Sequence, residues 1–258
     1  MQLHFEKSGS GEPLVMLHGI FGSLANLGAI ARLLEQHFTV IRADLRNHGQ
    51  SPHAESMTYT DMANDVAALL DSLHLDSAHL FGHSMGGKVV MELALSQSPR
   101  ARKLIVGDIA PVAYPPHHDA ILEGLCALPL NELQSRTEAD KQLTHYVGEL
   151  PVRQYLLKNL VRDSDGKFRW RMNLDAIVKN YDAVRTEVGI GKVFAGDTLF
   201  IKGGNSNYIS ARTLPTIQQK FPNANIETIA DAGHWVHAEQ PQRFAQLMID
   251  FIKNDGDE

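Results

Sequence analysis

The chain has 258 residues, a formal net charge of −6 and a single cysteine, Cys126. This length suits one large α/β domain with a substantial core. The negative charge and the lack of a basic cluster argue against nucleic acid as a partner, and one cysteine excludes an intrachain disulfide. No leader-like segment opens the sequence and no apolar run is long enough to cross a bilayer. We therefore expect a soluble cytoplasmic protein with no membrane partner.

Strand patterns alternate with helical patterns along the first 110 residues. Residues 2–6 alternate polar and apolar side chains, as a half-exposed edge strand does. Continuous apolar runs predict buried strands at 13–17, 38–43, 78–81 and 103–109. Apolar residues at helical spacing predict three helices between these strands, at 26–36, from Thr60 to 73, and at 89–95. Strands that alternate with helices form a mostly parallel sheet through right-handed crossovers. The predicted fold class is therefore α/β, with helices on both faces of the sheet.

The alternation stops between residues 111 and 196, where mainly helical patterns are interrupted by prolines and no strand is evident. Strand patterns return at 198–202 and 225–229, and a closing helix is predicted at 241–252. The sequence thus predicts a core formed by residues 1–110 and 197–258, with residues 111–196 inserted as a helical cap over the site. The acidic residues 254–258 are predicted to form a frayed tail.

Ser84 stands at the apex of a predicted strand, sharp turn and helix. Gly82 and Gly86 flank it at two residues on either side, where a side chain would collide with the neighbouring strand and helix. Such a turn raises the serine hydroxyl above the sheet and points the N-terminal N–H groups of the next helix at it. The pattern predicts that Ser84 is a nucleophile.

A serine hydroxyl needs an adjacent base, normally a histidine held by a carboxylate. The chain has 13 histidines, so position must distinguish them. His234 lies in a short loop directly after the last predicted strand, and we assign it as the base. His237, one helical turn later, is the alternative. His83 precedes the nucleophile, so its side chain projects away from Ser84 and we expect it to be structural.

These elements and loops together resemble the α/β-hydrolase family over nearly the whole chain. The resemblance is carried by His18-Gly19, Asp44-Leu45-Arg46-Asn47-His48-Gly49-Gln50-Ser51, Gly82-His83-Ser84-Met85-Gly86-Gly87 and Gly233-His234. Arg46-Asn47-His48-Gly49, Gly107-Asp108-Ile109-Ala110-Pro111 and Gly203-Gly204-Asn205-Ser206 look especially like small bacterial esterases of the YbfF type. The resemblance implies an α/β-hydrolase fold and a serine hydrolase without a metal or organic cofactor.

The acid departs from the commoner pattern of that family. Most members place an aspartate roughly where Asn207 stands here, and an amide cannot stabilise an imidazolium as a carboxylate does. The nearest carboxylate at a strand end is Asp108, and the YbfF-like branch takes its acid from this strand. We therefore assign Asp108 as the acid. Asp44 and Asp231 are the rivals, with Asp231 expected to cap the loop of His234.

The tetrahedral intermediate of ester cleavage needs two N–H donors. One is expected from Met85, the residue after the nucleophile, and the other from Ile20, with Phe21 as the alternative. Phe21 is also predicted to contact substrate. Arg46 is interpreted as scaffold that ties loops together through bidentate hydrogen bonds.

His117, His118 and Asp119 could suggest a metal site. Nothing nearby in the sequence supplies further ligands at suitable spacing, so we expect a solvated start of the cap and no metal.

The sequence therefore predicts a serine carboxylic-ester hydrolase that acts on small to medium acyl esters through an acyl-enzyme. An acyl-CoA thioesterase is the close alternative, because the same acyl-transfer chemistry serves thioesters. A non-catalytic ligand-binding protein on the same scaffold is the alternative from another class. The partner in every case is a small molecule, and the sequence does not indicate an oligomeric state.

Overall fold

A computed structural model describes residues 1–254 of the chain. The predicted frayed tail, apart from Asn254, therefore lies outside the described residues. Within residues 1–254 no helix combines the length and the apolar character that a membrane span requires.

Nine strands are found among the described residues: β1 (Phe5–Ser8), β2 (Pro13–Leu17), β3 (Thr39–Ala43), β4 (Ala78–His83), β5 (Ala101–Gly107), β6 (Leu160–Arg162), β7 (Phe168–Trp170), β8 (Thr198–Gly203) and β9 (Ala224–Ile229). Seven of them form one sheet in the order β1-β3-β2-β4-β5-β8-β9. Only β1 runs antiparallel to its neighbour, and the other pairs are parallel. The predicted mostly parallel sheet with a half-exposed edge strand is confirmed, but that strand spans Phe5–Ser8 and not residues 2–6.

The helices are α1 (Gly28–Leu34), α2 (Tyr59–Ser72), α3 (Met85–Ser96), α4 (Asp119–Ala127), α5 (Arg136–Leu143), α6 (Leu150–Leu157), α7 (Leu174–Lys179), α8 (Tyr181–Arg185), α9 (Leu214–Lys220), α10 (Val236–Glu239) and α11 (Pro241–Lys253). Short 3₁₀ turns occur at Leu24–Leu27 and Ser98–Arg100. Helices α4 to α8 all lie between β5 and β8.

The sheet is covered on both faces. Buried residues of α2 and α3 pack with Val15 and Leu80 on one face, while α1 and α11 pack with Met16 and Phe81 on the other. Alternate residues of one strand point to opposite faces, which explains why β2 and β4 read as continuous apolar runs. Because helices cover both faces, the loops that could carry a site leave the sheet at the ends of its strands.

The predicted bounds of the first two helices are also wrong. Thr58, and not Thr60, caps α2, because the Thr58 hydroxyl accepts from the Asp61 N–H. The predicted helix 26–36 is shorter, since a 3₁₀ turn precedes α1, which ends at Leu34.

The segment between β5 and β8 also contains a hairpin that the sequence analysis did not predict. Strands β6 and β7 pair antiparallel, with Leu160 opposite Trp170. Leu160 and Phe168 pack with buried residues of α5 and α6 in a small core of the segment's own. Each strand has only three residues, too short for the alternation of side chains to show in the sequence.

Candidate active site

Ser84 occupies a strained turn between β4 and α3. Its φ is 54° and its ψ −119°, a backbone conformation that costs a non-glycine residue free energy. A Cβ added to Gly82 would lie 2.1 Å from the Gly86 carbonyl oxygen, and one on Gly86 would lie 2.6 Å from the His18 carbonyl oxygen. Both glycines are therefore needed for the close approach of the strand, the turn and the helix.

His234 and Asp108 are joined by a hydrogen bond, although 126 residues separate them. The distance between His234 Nδ1 and Asp108 Oδ2 is 2.7 Å. A carboxylate only accepts, so Nδ1 carries the proton and Nε2 is left as the basic nitrogen. The parallel sheet brings them together, because the loops after β5 and β9 leave the same edge with only β8 between them.

The carboxylate of Asp108 is fully buried and held by three donors. The Gly203 N–H donates to Oδ1 at 3.1 Å, and the Ser206 hydroxyl donates to Oδ2, the oxygen that also faces His234. The backbone of Asp108 has a φ of 48°, which turns its side chain toward the loop after β8. That loop therefore serves the acid by positioning it, while its Asn207 is exposed at the surface.

Ser84 and His234 line one pocket together with Gly19, Ile20 and Phe21. Among the described residues, no hydrogen bond joins the Ser84 hydroxyl to His234. Catalytic hydrogen bonds are often long in unliganded enzymes and tighten when substrate binds. The structure thus brings the predicted nucleophile and base to one cavity without a direct bond between them.

The N–H groups of Ile20 and Met85 are available to bind an oxyanion, whereas the N–H of Phe21 already donates elsewhere. The Phe21 N–H already donates to His48 Nε2 at 3.2 Å, whereas the Ile20 N–H has no acceptor within residues 1–254. Met85 is the first residue of α3, where a helical N–H has no intrahelical acceptor. Phe21 is 2% exposed and lines the pocket with its side chain. This favours Ile20 over Phe21 as the second donor.

Two buried neutral histidines hold the loop that carries Ile20. Burial lowers the pKa of His18 to about 4 and that of His48 to about 3. His48 Nδ1–H donates to the Arg46 carbonyl at 2.9 Å and Nε2 accepts from Phe21. His18 Nδ1–H donates to the Gly19 carbonyl and Nε2 accepts from the Leu45 N–H at 3.0 Å. Each ring uses one donor and one acceptor, which only the uncharged imidazole offers.

The inserted segment contacts the same loop from above. The Tyr155 hydroxyl donates to the Ile20 carbonyl at 2.9 Å, and the Asn159 amide donates to the Phe21 carbonyl at 2.6 Å. Both side chains come from α6 and the residues that follow it. The backbone of the candidate oxyanion loop is thus fixed from two directions.

His83 is bonded to the backbone of the candidate base. Its Nε2–H donates to the His234 carbonyl at 2.8 Å, and burial lowers its pKa well below the usual value. His237 is 4% exposed, and its ring lies 4.3 Å from that of His83. Its Nδ1 is buried and has no hydrogen-bond partner in the part of the chain that the structure describes. His83 therefore helps to hold the loop of His234, and His237 packs beneath it.

The rival acids have other contacts. Asp44 is buried and accepts from the N–H groups of Leu24 and Gln50 at 2.7 and 2.8 Å, which braces two loops. Asp231 is exposed, and the N–H groups of the His234 loop are capped by Glu239 instead. The expectation that Asp231 caps this loop is wrong.

The expected bidentate tie of Arg46 is confirmed. Its guanidinium donates to both carboxylate oxygens of Asp65, at 2.6 and 2.9 Å.

Residues 14–247 match the Alpha/beta hydrolase family. The chain belongs to the α/β-hydrolase family. It is 42% identical over 248 residues to Esterase YbfF of Escherichia coli strain K12, covering 95% of this chain and 94% of the relative. It is 40% identical over 247 residues to the sn-1-specific diacylglycerol lipase ABHD11 of Mus musculus, covering 93% and 80%. A solved marine microorganism esterase superposes with a TM-score of 0.95 at 41% identity, covering 97% of this chain and 99% of the other. The resemblance inferred from the motifs is confirmed.

Several residues of this α/β-hydrolase site were not found by sequence reasoning. The ring of Tyr208 stacks on that of His234 at 4.1 Å, and its hydroxyl lies 2.6 Å from His117 Nε2. His118 is half-buried, lines two pockets beside Ser84, and has its pKa lowered by burial to about 3. The expectation of a solvated start of the cap is therefore wrong for His118. Among residues 1–254, no cluster of side chains suited to a metal ion occurs.

Proposed function

We propose that the protein is a serine carboxylic-ester hydrolase, with Ser84 as nucleophile, His234 as general base and Asp108 as the carboxylate that orients the base. The observation that carries this proposal is the hydrogen bond of 2.7 Å between His234 Nδ1 and Asp108 Oδ2, beside a serine on a strained turn. The relatives of about 40% identity over nearly the whole chain bear the names esterase and lipase, which supports the ester-hydrolase class.

The proposed reaction proceeds in two halves through an acyl-enzyme. His234 Nε2 takes the proton of the Ser84 hydroxyl while its oxygen attacks the ester carbonyl carbon. The tetrahedral intermediate collapses when the imidazolium gives that proton to the leaving alkoxide, which departs as the alcohol. Water, deprotonated by the same nitrogen, then attacks the acyl-enzyme and releases the carboxylic acid and free Ser84.

The negative charge of each tetrahedral intermediate is proposed to lie between the N–H groups of Ile20 and Met85. Both donors are backbone groups held by packed elements, so little reorganisation accompanies the development of charge. The side chain of Phe21 contributes to the pocket wall, as expected for a substrate contact.

Residues 111–196 are proposed to act as a cap over the site. Side chains of this segment, among them His118, Tyr155 and Leu156, line the cavities that also contain Ser84. A cap of this kind excludes water and limits the size of the substrate. The single cysteine fits a reducing compartment, and we propose the cytoplasm.

The proposal is tested with benzyl esters and acyl-CoA thioesters of rising acyl length. We expect wild type to cleave short benzyl esters, and Ser84→Ala to lower the rate by at least about a thousandfold. Ser96→Ala, at the other end of α3, is the matched control and should retain activity. A wild type that cleaves no substrate, or a Ser84→Ala variant as active as wild type, would contradict the proposal. If both wild type and Ser84→Ala bind an ester and neither cleaves it, the result would point to a non-catalytic ligand-binding protein.

A further inference from the structure

Lys88 is a buried cation beside the proposed nucleophile. It lies one helical turn after Ser84 in α3 and is only 2% exposed. Residues four apart occupy the same face of a helix, and both side chains line one pocket, together with Met85. The reaction that we propose gives no role to this lysine.

The ammonium group of Lys88 donates only to neutral oxygens, and it lies 5.5 and 4.9 Å from the centroids of the Tyr59 and Tyr114 rings. It donates to the carbonyls of Val112 and Thr186 at 2.8 and 2.7 Å, and a third contact, to the Arg185 carbonyl, is long at 3.5 Å. An ammonium has three donors, so one of them is weakly used. No ion pair joins Lys88 to a carboxylate among residues 1–254, and the nearest acidic influence comes from the exposed Glu187.

A buried ammonium without a counter-ion is costly to the protein. Desolvation lowers the pKa of Lys88 to about 7, so the charged form is maintained with difficulty near neutral pH. A carboxylate of a bound ligand would supply the missing counter-charge and accept from the weakly used N–H.

Arg185 adds a second cation to the same pocket. Its terminal nitrogens donate to the Tyr114 carbonyl and to Asp182, but its Nε is buried and has no hydrogen-bond partner within residues 1–254. The residues that line this pocket include both cations and His117, and they contain no aspartate or glutamate. Most of the other lining residues are apolar or aromatic, so the pocket suits a short acyl chain whose far end carries a negative charge.

The pocket of Lys88 is on the acyl side of the reaction. It is lined by Ile20 and Met85, the two proposed oxyanion donors, but not by His234. The second pocket beside Ser84 contains His234 and Trp235, and the leaving alcohol must take its proton from His234. The acyl group therefore faces Lys88, and the alcohol faces Trp235.

We propose that Lys88 selects acyl groups that end in a carboxylate, so that the preferred substrates are half-esters of short dicarboxylic acids. This inference rests on the ester hydrolysis proposed above. The acyl chain is short because Ser84 and Lys88 are only about one helical turn, roughly 5.4 Å, apart along α3. Lys88 is thus a specificity-determining residue, and Arg185 adds to the positive potential.

The test compares monobenzyl succinate with benzyl butyrate, which have the same alcohol and the same number of acyl carbons. We expect the kcat/KM of wild type to be about tenfold to a hundredfold higher for the succinate half-ester, as a charge-assisted hydrogen bond implies. In Lys88→Met this ratio should fall to about one, because the side chain keeps an unbranched stem, one atom shorter, and loses its charge. Release of benzyl alcohol, followed by chromatography, measures both reactions.

Lys220→Met is the matched control. Lys220 is also buried, at 7% exposure, and also donates to a backbone carbonyl, that of Gly189, at 2.7 Å. This variant should keep the preference of wild type. Calorimetric binding of both esters to Ser84→Ala gives a second reading that does not require Lys88→Met to fold, and the half-ester should bind more tightly.

Three results would overturn the inference: no preference for the half-ester in wild type, a preference that persists in folded Lys88→Met, or equal binding of both esters to Ser84→Ala. If benzyl butyrate is cleaved without a preference for the half-ester, only the role of Lys88 fails. If neither ester nor any other ester is cleaved, the proposed function fails and the inference fails with it.

Discussion

Asp108 has no exposed surface, yet its carboxylate accepts hydrogen bonds from Gly203, Ser206 and His234. These donors satisfy buried oxygens that would otherwise be costly. The last residue of β8 supplies one of them and the following loop supplies another, although the loop residue in the commoner acid position is Asn207. The carboxylate therefore comes from β5, and the loop after β8 keeps it aimed at the imidazole.

We expect the single substitution Asp108→Asn to reduce the kcat of ester hydrolysis by about 10⁴-fold. The amide retains the shape of the carboxylate but does not stabilise the imidazolium, and it permits the wrong tautomer of His234. Steady-state kinetics with benzyl butyrate measures the effect, and Asn207→Ala is the control that should remain active. The assignment of the acid would be contradicted if Asn207→Ala lost activity and Asp108→Asn retained it.

Helix α6, in the segment between β5 and β8, is hydrogen-bonded to the candidate oxyanion loop of the core. Tyr155 and Asn159 donate to the carbonyls of Ile20 and Phe21, and His48 accepts from the Phe21 N–H. Tyr155 and His48 fix the peptide plane between Ile20 and Phe21. That plane restricts the adjacent peptide, which carries the Ile20 N–H. We therefore expect this segment to affect catalysis as well as access to the site.

We expect Tyr155→Phe to lower kcat about fivefold, which corresponds to the loss of one hydrogen bond of about 1 kcal/mol, with a smaller change in KM. The matched control is Tyr146→Phe, because Tyr146 is a half-buried tyrosine of the same segment whose hydroxyl has no hydrogen-bond partner among residues 1–254. Kinetics with benzyl butyrate separates kcat from KM. Equal effects of both variants on kcat would contradict a specific role for the bond from Tyr155 to Ile20.

Several histidines distributed over the protein are withdrawn from solvent and remain neutral. Burial lowers the pKa of His18 to about 4 and the pKa values of His48, His118 and His237 to about 3, from 6.5. The unfolded chain takes up protons near pH 6.5, whereas the native protein does not until the pH approaches these lower values. The free energy of unfolding must therefore fall as pH decreases below about 6.5.

Each such histidine contributes at most about 1.4 kcal/mol per pH unit to this loss. We expect urea unfolding to show a steady decline in stability from pH 7 to pH 5, with a shallower decline in His48→Asn. His74→Asn is the control, since His74 is exposed and its left-handed backbone suits asparagine. A wild type equally stable at pH 7 and pH 5 would contradict this account.

Sequence patterns alone were sufficient to predict the parallel sheet, the family, and the strand ends from which Ser84, Asp108 and His234 project. These features are encoded locally, because apolar runs specify buried strands and Gly82 and Gly86 specify the turn around Ser84. Their catalytic roles remain predictions.

The contacts between residues far apart in the sequence are visible only in the tertiary structure. Tyr208 stacks on His234, Tyr155 reaches the Ile20 carbonyl across 135 residues, and Lys88 reaches both ends of the inserted segment. The hairpin of β6 and β7 is equally invisible in the sequence, because strands of three residues show no clear period. Local patterns fix which elements form, whereas the packing of those elements fixes which side chains surround the nucleophile.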